Sequence, residues 1–477
     1  MSLQYIADFE SECPTADGSQ VLVVQWVNDR VVLTGHLDGW LRAWDTSNGR
    51  LLAQVQAHVQ STNSVTTSED GKAVLSSSLD GSVSLWSISD LPQLFVAADR
   101  ETRSDEGHVD GSSPQDNGDA AAATSTAHWT PTSQVPSVRF SPECPDAFVT
   151  ALHPSGRFFA STGQGASLSL HSAQSNSFGK HIVTSPPPSS IHEPSSTSST
   201  YGICLSFSPS GQIVAVGTLR GHVHLYHLQS DNELRLVATV SSHAAPIRSV
   251  TFDSIKTVKG QQDSVVYIGG DDGIITMHDV LRLSSHASTA EPDKPPRELM
   301  PVGVLRGHKS GVTALAPVPP AATSLSASHS ATTSMLSSTS RDGTLRIWDL
   351  RAIPKACVFL TSPDLTSTAA SEAATRGHNQ RNVEADQPEQ TVNGDVDGAR
   401  TSPPETAAPA QPSAQAPSQA QQFPRISMPP SSIAWRRSPP FAPAAPASPA
   451  RAGPAFVVAG EQKLVWYRMA GLGAVDL

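Results

Sequence analysis

Aromatic side chains are scarce in this chain, 5% of its residues, and only 38% are hydrophobic. A sequence so poor in large apolar groups cannot fill all 477 residues with packed core. A folded part interrupted by long unstructured inserts is expected, and 38 prolines and 32 glycines agree with that. Cysteine is nearly absent: Cys13, Cys144, Cys204 and Cys357 stand far apart. Without a CxxC pair there is no zinc ribbon and no dithiol redox motif, and so few cysteines suit a reducing compartment. No apolar run approaches the roughly 20 residues that cross a bilayer. The opening MSLQYIADFESECP has no basic stretch followed by an apolar one, so no secretory signal is expected. Positive charge is in deficit, with 32 Lys and Arg against 43 Asp and Glu and a net charge of −11. That balance repels phosphate backbones and speaks against direct nucleic-acid binding. The expectation is a soluble protein of cytoplasm and nucleus that contacts no membrane.

What the chain does have is repetition. GHLDGWLRAWD, ending at Asp45, aligns without a gap on SSLDGSVSLWS, ending at Ser87. Asp38 and Asp80 are 42 residues apart, as are Trp44 and Trp86. TSRDGTLRIWD carries Asp342 and Trp348 at the same mutual spacing. A period near 40–45 residues, with an Asp-Gly turn and a closing Trp-Asp, is the signature of a propeller blade. Each copy reads as a hairpin. A strand such as Val31-Val32-Leu33 precedes a tight turn that Gly allows, and residues of alternating character follow. A His lies upstream, as in Gln56-Ala57-His58 and Arg306-Gly307-His308.

Weaker copies fill the middle. Ala151–Ser172 has Gln164 in the Asp position, and Ser206–Leu228 has Arg220 there with Tyr226 for the Trp. His243, Asp272 and His278 mark another copy, and Ala455–Arg468, preceded by Ser432–Trp435, is the last. The count is seven. The predicted fold is all-β, a seven-bladed WD-repeat β-propeller built from residues 1–360 and 431–470. Disordered inserts are expected at 99–134, 175–199, 285–299, 319–333 and 361–430. A ring must not leave an open edge strand. Leu3–Ala7 is therefore expected to pair with Lys463–Tyr467 and complete the last blade.

Two clusters imitate a hydrolase triad: His58, Ser78 and Asp80, and His308, Ser340 and Asp342. Both recur with the repeat and both have a tryptophan beside them, Trp86 and Trp348. They are expected to be struts, a buried hydrogen-bond network joining loop to turn. His222, His224 and His227 lack further ligands for a metal site. GQGASL at Gly163 lacks the third glycine of a dinucleotide loop. No catalytic residue, cofactor or metal is expected. The residue before each turn Asp should stand on a rim open to partners: Leu37, Leu79, Asp271 and Arg341, with Leu219 at the Arg220 turn and Trp40 just beyond the first.

Several segments resemble one subfamily, the WD-repeat subunit of the superkiller (Ski) complex, also found in metazoan Paf elongation complexes. They are Thr34–Trp44, Ser76–Trp86, HAAPIRSVTF at His243–Phe252, GGDDGIITMHDV, LRGHKSGV and the ending FVVAGEQKLVWYRMAG. The last is similar to fungal members. The resemblance implies a scaffold that holds a tetratricopeptide-repeat subunit together with an RNA helicase and feeds mRNA to the exosome for 3′–5′ decay. It also implies a nuclear role in meiotic recombination, through a topoisomerase-like break-forming partner, or in transcription elongation. Partners in that family dock a short Gln-Arg-containing motif on the rim. The competing reading is a generic adaptor, such as a ubiquitin-ligase substrate receptor.

Overall fold

In the second strand of the first repeat, Val31-Val32-Leu33, no side chain is left in water. Val31 and Leu33 pack towards the second repeat, and Val32 packs towards the seventh. Strand geometry turns successive side chains to opposite faces, so one strand serves two neighbours at once. Ile213 and Ala215 likewise face the fifth repeat while Val214 and Val216 face the third. This arrangement recurs around a ring in the computed structural model. The model describes residues 4–13, 20–28, 30–87, 137–139, 148–188, 200–230, 233–257, 260–281, 283, 296–318, 335–350, 356–361, 432–435, 456–460 and 463–470. The chain divides into one unit of 1–366 with 428–477, and a second of 367–427 that lies outside the described residues.

The larger unit is a seven-bladed β-propeller. Among the described residues each blade is built on four antiparallel strands, in sequence order in blades 1–6, while blade 7 takes its fourth strand from the N-terminal side of the chain. Blade 1 is Val21–Trp26, Val31–His36, Trp40–Asp45 and Leu51–Gln56. Blade 2 is Thr62–Thr67, Ala73–Ser78, Ser82–Ser87 and Ser137–Arg139. Blade 3 is Val149–Leu152, Phe158–Thr162, Leu168–Ser172 and His181–Ser185. Blade 4 is Gly202–Phe207, Ile213–Thr218, Val223–Ser230 and Glu233–Val240, with Arg297–Glu298 added in parallel at its edge. Blade 5 is Ile247–Thr257, Gly260–Gly270, Ile275–Asp279 and Gly303–Leu305. Blade 6 is Val312–Pro317, Met335–Ser340, Leu345–Asp349 and Ala356–Thr361. Blade 7 is Ser432–Trp435, Phe456–Ala459, Lys463–Ala470 and the N-terminal Gln4–Glu12.

Among the described residues the core is divided. Each gap between adjacent blades has its own apolar cluster, from blades 1 and 2 round to blades 7 and 1. In the closing blade, Gln4 lies opposite Ala470 and Glu12 opposite Lys463, so the N-terminal strand runs further than Leu3–Ala7. The Trp466 indole donates to Ser11 Oγ at 2.8 Å, and Phe9 packs on Trp466 at 5.3 Å between ring centroids. Lys463, buried, pairs with Glu10.

Two of the inserts need correction. Within 175–199, residues 175–188 are ordered and His181–Ser185 completes blade 3. The segment is polar, but Ile182 and Val183 join the cluster shared with blade 4, and that contact orders it. Within 285–299, Arg297–Glu298 pairs with blade 4 and Leu299 is buried. Thr361 still belongs to a strand of blade 6. The inserts at 99–134 and 319–333, and 362–430 of the last, lie outside the described residues.

Candidate functional site

The turn between the second and third strands is built alike in blades 1, 2, 4, 5 and 6. The glycine after the Asp has positive φ, +79° at Gly39, +77° at Gly81 and +79° at Gly343, a region open to glycine at little cost. Its amide bonds to the carbonyl three residues back: His36, Ser78 and Ser340. The residue before the Asp sends its amide to the residue just before the blade's first strand. Leu37 bonds to Gln20, Leu79 to Ser61, Leu219 to Tyr201, Asp271 to Pro246 and Arg341 to Gly311. Five of the predicted rim residues thus hold equivalent places at one end of the ring.

Blade 3 corrects the alignment. Ala166 sends its amide to Gly163 and has φ of +53°, so alanine fills the glycine position. Ser161 lies opposite Ser169, as Ser76 lies opposite Ser84. The Asp position therefore belongs to Gly165, and Gln164 is the exposed rim residue.

The buried network also differs in one member. His58 bonds through Nε2 to Ser76 Oγ at 2.8 Å, and the Trp86 indole donates to the same oxygen at 2.8 Å. In blade 6, His308 Nε2 and the Trp348 indole meet Ser338 Oγ at 2.7 and 2.8 Å. The hydroxyl is that of Ser76 and Ser338, not of Ser78 and Ser340. The latter two sit next to the turn, where they accept the amides of Asp80 and Asp342. Asp80 also accepts the Val59 amide, and Asp342 the Lys309 amide, which fixes the loop entering each blade. In blade 1 no upstream imidazole serves. His36, from within the blade, bonds to Thr34, which also accepts the Trp44 indole. In blade 5 the hydroxyl comes from the third strand, with His243 and His278 both on Thr276.

These groups are placed to hold, not to react. Ser76 and Ser338 have no exposed surface, so a substrate has no route to either oxygen. Burial pushes His58 down to about 4, and Asp80 raises it only in part. Burial alone would raise Asp80, but hydrogen bonds from Ser82 and Val59 outweigh it and set it at about 2. Asp342 reaches about 2 in the same way through Thr344 and Lys309. Burial also brings His171, His224 and His278 to about 4. A histidine that ionises near 6.5 when unfolded and near 4 when folded takes up its proton mainly on unfolding. Stability is therefore full above pH 6.5 and falls as pH drops towards 4. Thermal melts across that range should show it, and His224→Phe should make the slope shallower.

The rim divides into two parts. Leu37, Leu79 and Leu219 are 50%, 46% and 41% exposed. Three further exposed apolar residues, missed in the sequence, share their end of the ring. Val59 follows His58 and is held by Asp80, and Tyr201 accepts the Leu219 amide. Phe148 enters blade 3 beside Asn63. Together they form an apolar arc over blades 1–4. The signal was available, since each lies in a loop entering a blade, where the repeat suggests polar residues. On blades 5 and 6, Asp271 and Arg341 face each other at 3.7 Å, and Asp271 also holds Arg248 at 2.7 Å. Their charges are engaged within the protein. Trp40 is half-buried, with the Arg42 guanidinium 5.6 Å from its ring centroid. Among the described residues no group of three or more His, Cys, Asp or Glu could hold a metal ion. His222 instead bonds to Ser241, and His224 is buried.

The family WD domain, G-beta repeat matches residues 49–87 and 299–349. The chain is similar to the DDB1- and CUL4-associated factor 11 homolog of Caenorhabditis elegans, 26% identical over 148 residues, 31% of this chain and 20% of that protein. It is also similar to Meiotic recombination protein rec14 of Schizosaccharomyces pombe, 31% identical over 85 residues, 18% of this chain and 25% of that protein. A shorter stretch, 39% identical over 54 residues, matches Autophagy-related protein 16 of Arabidopsis thaliana, 11% of each chain. The chain thus aligns with a quarter or less of the length of these relatives.

Proposed function

We propose that this WD-repeat protein is a non-catalytic interaction scaffold that captures partner proteins on the rim of blades 1–4. The apolar arc of Leu37, Val59, Leu79, Phe148, Tyr201 and Leu219 carries that reading. Exposed apolar groups gathered at one end of a rigid ring favour a partner surface over water. The partners that fit the sequence resemblance are a tetratricopeptide-repeat subunit and an RNA helicase, in a Ski-type assembly serving cytoplasmic mRNA decay. The likeness to a protein named for meiotic recombination supports a second place of work in the nucleus, with a topoisomerase-like partner. Neither nucleic acid nor membrane is a direct ligand in this reading.

The test is affinity purification of the full chain followed by mass spectrometry. The tetratricopeptide subunit and helicase should be recovered. Leu37→Asp with Leu79→Asp should cut that recovery about tenfold or more while leaving the thermal melt unchanged, since hot-spot residues typically contribute about 2 kcal/mol or more each. Intact capture by the double variant would remove the arc from the account. The alternative is an adaptor of a ubiquitin ligase, favoured by the likeness to a protein named for association with DDB1 and CUL4. Recovery of those two proteins in place of the helicase would select it.

A further inference from the structure

The apolar arc leaves out some of the most exposed apolar side chains among the described residues. Met300 and Val302 are 75% and 63% exposed, and Val304 is 40% exposed. They lie on the segment that crosses from blade 4 to blade 5. Arg297–Glu298 is the outer edge of blade 4's sheet, and Gly303–Leu305 is the outer edge of blade 5's. Leu299 and Leu305 turn inward and are buried. Glu298, Met300, Val302, Val304 and Arg306 are exposed, and so is Arg297, beside the first of them and paired with Ala238. On other outer strands the exposed positions are polar, Gln56 in blade 1 and His181 and Thr184 in blade 3. Here three apolar residues in a row are flanked by an acid on one side and a base on the other.

We propose that this edge docks a second copy of the same chain, with the two segments antiparallel about a two-fold axis at Val302. In that register Val302 meets Val302, Met300 meets Val304, and Glu298 meets Arg306 of the second copy. The last two contacts occur twice. A two-fold contact requires such a self-complementary patch, and opposite charges directly across a strand pair are favourable. A parallel arrangement would set Glu298 against Glu298 and Arg306 against Arg306. Read in reverse on the second copy, the order of acid, apolar triplet and base is its own complement. Pro301 has no N–H and interrupts a backbone ladder, so side chains carry the contact. Its small extent makes the dimer weak and dependent on concentration. The edge strand lies away from the apolar arc, and the inference stands apart from the proposed scaffold role.

Sedimentation velocity of the full chain, from about 1 to about 100 μM, a range that brackets micromolar affinity, tests it. The mass should rise from one chain towards two. Val302→Asp places two carboxylates on the axis and should abolish the rise. Glu298→Arg should abolish it as well, and adding Arg306→Glu to the same chain should restore it to within a few-fold. Thermal melts of all three should match the parent, because the positions are exposed. A monomer at every concentration overturns the proposal. So does a dimer that tolerates Val302→Asp, or a charge-reversed pair that stays monomeric.

Discussion

A chain lacking residues 1–9 should melt roughly 10 °C or more below the full protein. The deletion removes the strand pairing of Gln4 to Ala7 with Tyr467 to Ala470, and Phe9 from its place on Trp466. Phe9 is partly buried against Trp466, so its loss costs less than the roughly 3–5 kcal/mol of a fully buried aromatic; the lost strand pairing and the uncovering of Trp466 add to it, and each kcal/mol is worth about 2–4 °C in a large domain. The shortened blade would also expose most of Lys463–Ala470 as an edge, an invitation to association. Calorimetry and size-exclusion chromatography of the truncated chain read both effects. An unchanged melt would mean that the N-terminal strand does not close the ring.

Ser76→Ala should be among the most damaging single changes in the chain, and Ser78→Ala among the mildest within the same strand. Ser76 Oγ receives the Trp86 indole and bonds to His58. Without it two buried groups lose their partner, at about 1–3 kcal/mol each. The melt should fall by roughly 5 °C or more. Ser78 accepts one amide at 3.2 Å, at a turn that also has its own backbone bond. Its loss should cost about 1 kcal/mol or less. Ser338→Ala should repeat the large effect in blade 6, since it joins His308 and Trp348 in the same way. Equal melts for Ser76→Ala and Ser78→Ala would refute the assignment of the network hydroxyl.

The ring was legible in the sequence because its physics repeats. A glycine at positive φ and an indole bonded to a hydroxyl ten residues earlier recur at fixed spacing, as at Gly39 with Thr34 and Trp44, and at Gly81 with Ser76 and Trp86. Where one position departs from the pattern, spacing alone misleads. Ala166 takes the left-handed conformation normally left to glycine, and that moved the apparent Asp position of blade 3 by one residue. Residue type could not separate Ser76 from Ser78, because both lie on the same face of a strand two residues apart; only the third dimension sets which one meets the tryptophan. Outer strands were harder still. His181–Ser185 is short, with only Ile182 and Val183 to bury against blade 4, and Arg297–Glu298 is polar and pairs with Ala238 and Thr239 far back along the chain. The rim leucines were visible from their place before the turn. Val59, Phe148 and Tyr201 carried a weaker signal, apolar residues in loops entering a blade, outside the positions that the period fixes.

Seven separate apolar seams, each joining only adjacent blades, leave the ring without a privileged starting point. Gln4 lies opposite Ala470, so the two ends of the described chain meet in one strand pair. A short link between them, with new termini cut at an exposed turn such as Ser47-Asn48, would give a circularly permuted chain with every seam retained. Stability in such an architecture is a sum over neighbouring pairs. What evolution can vary is where the ring is opened, and the present opening makes the last blade depend on a strand that lies before the first blade in the chain.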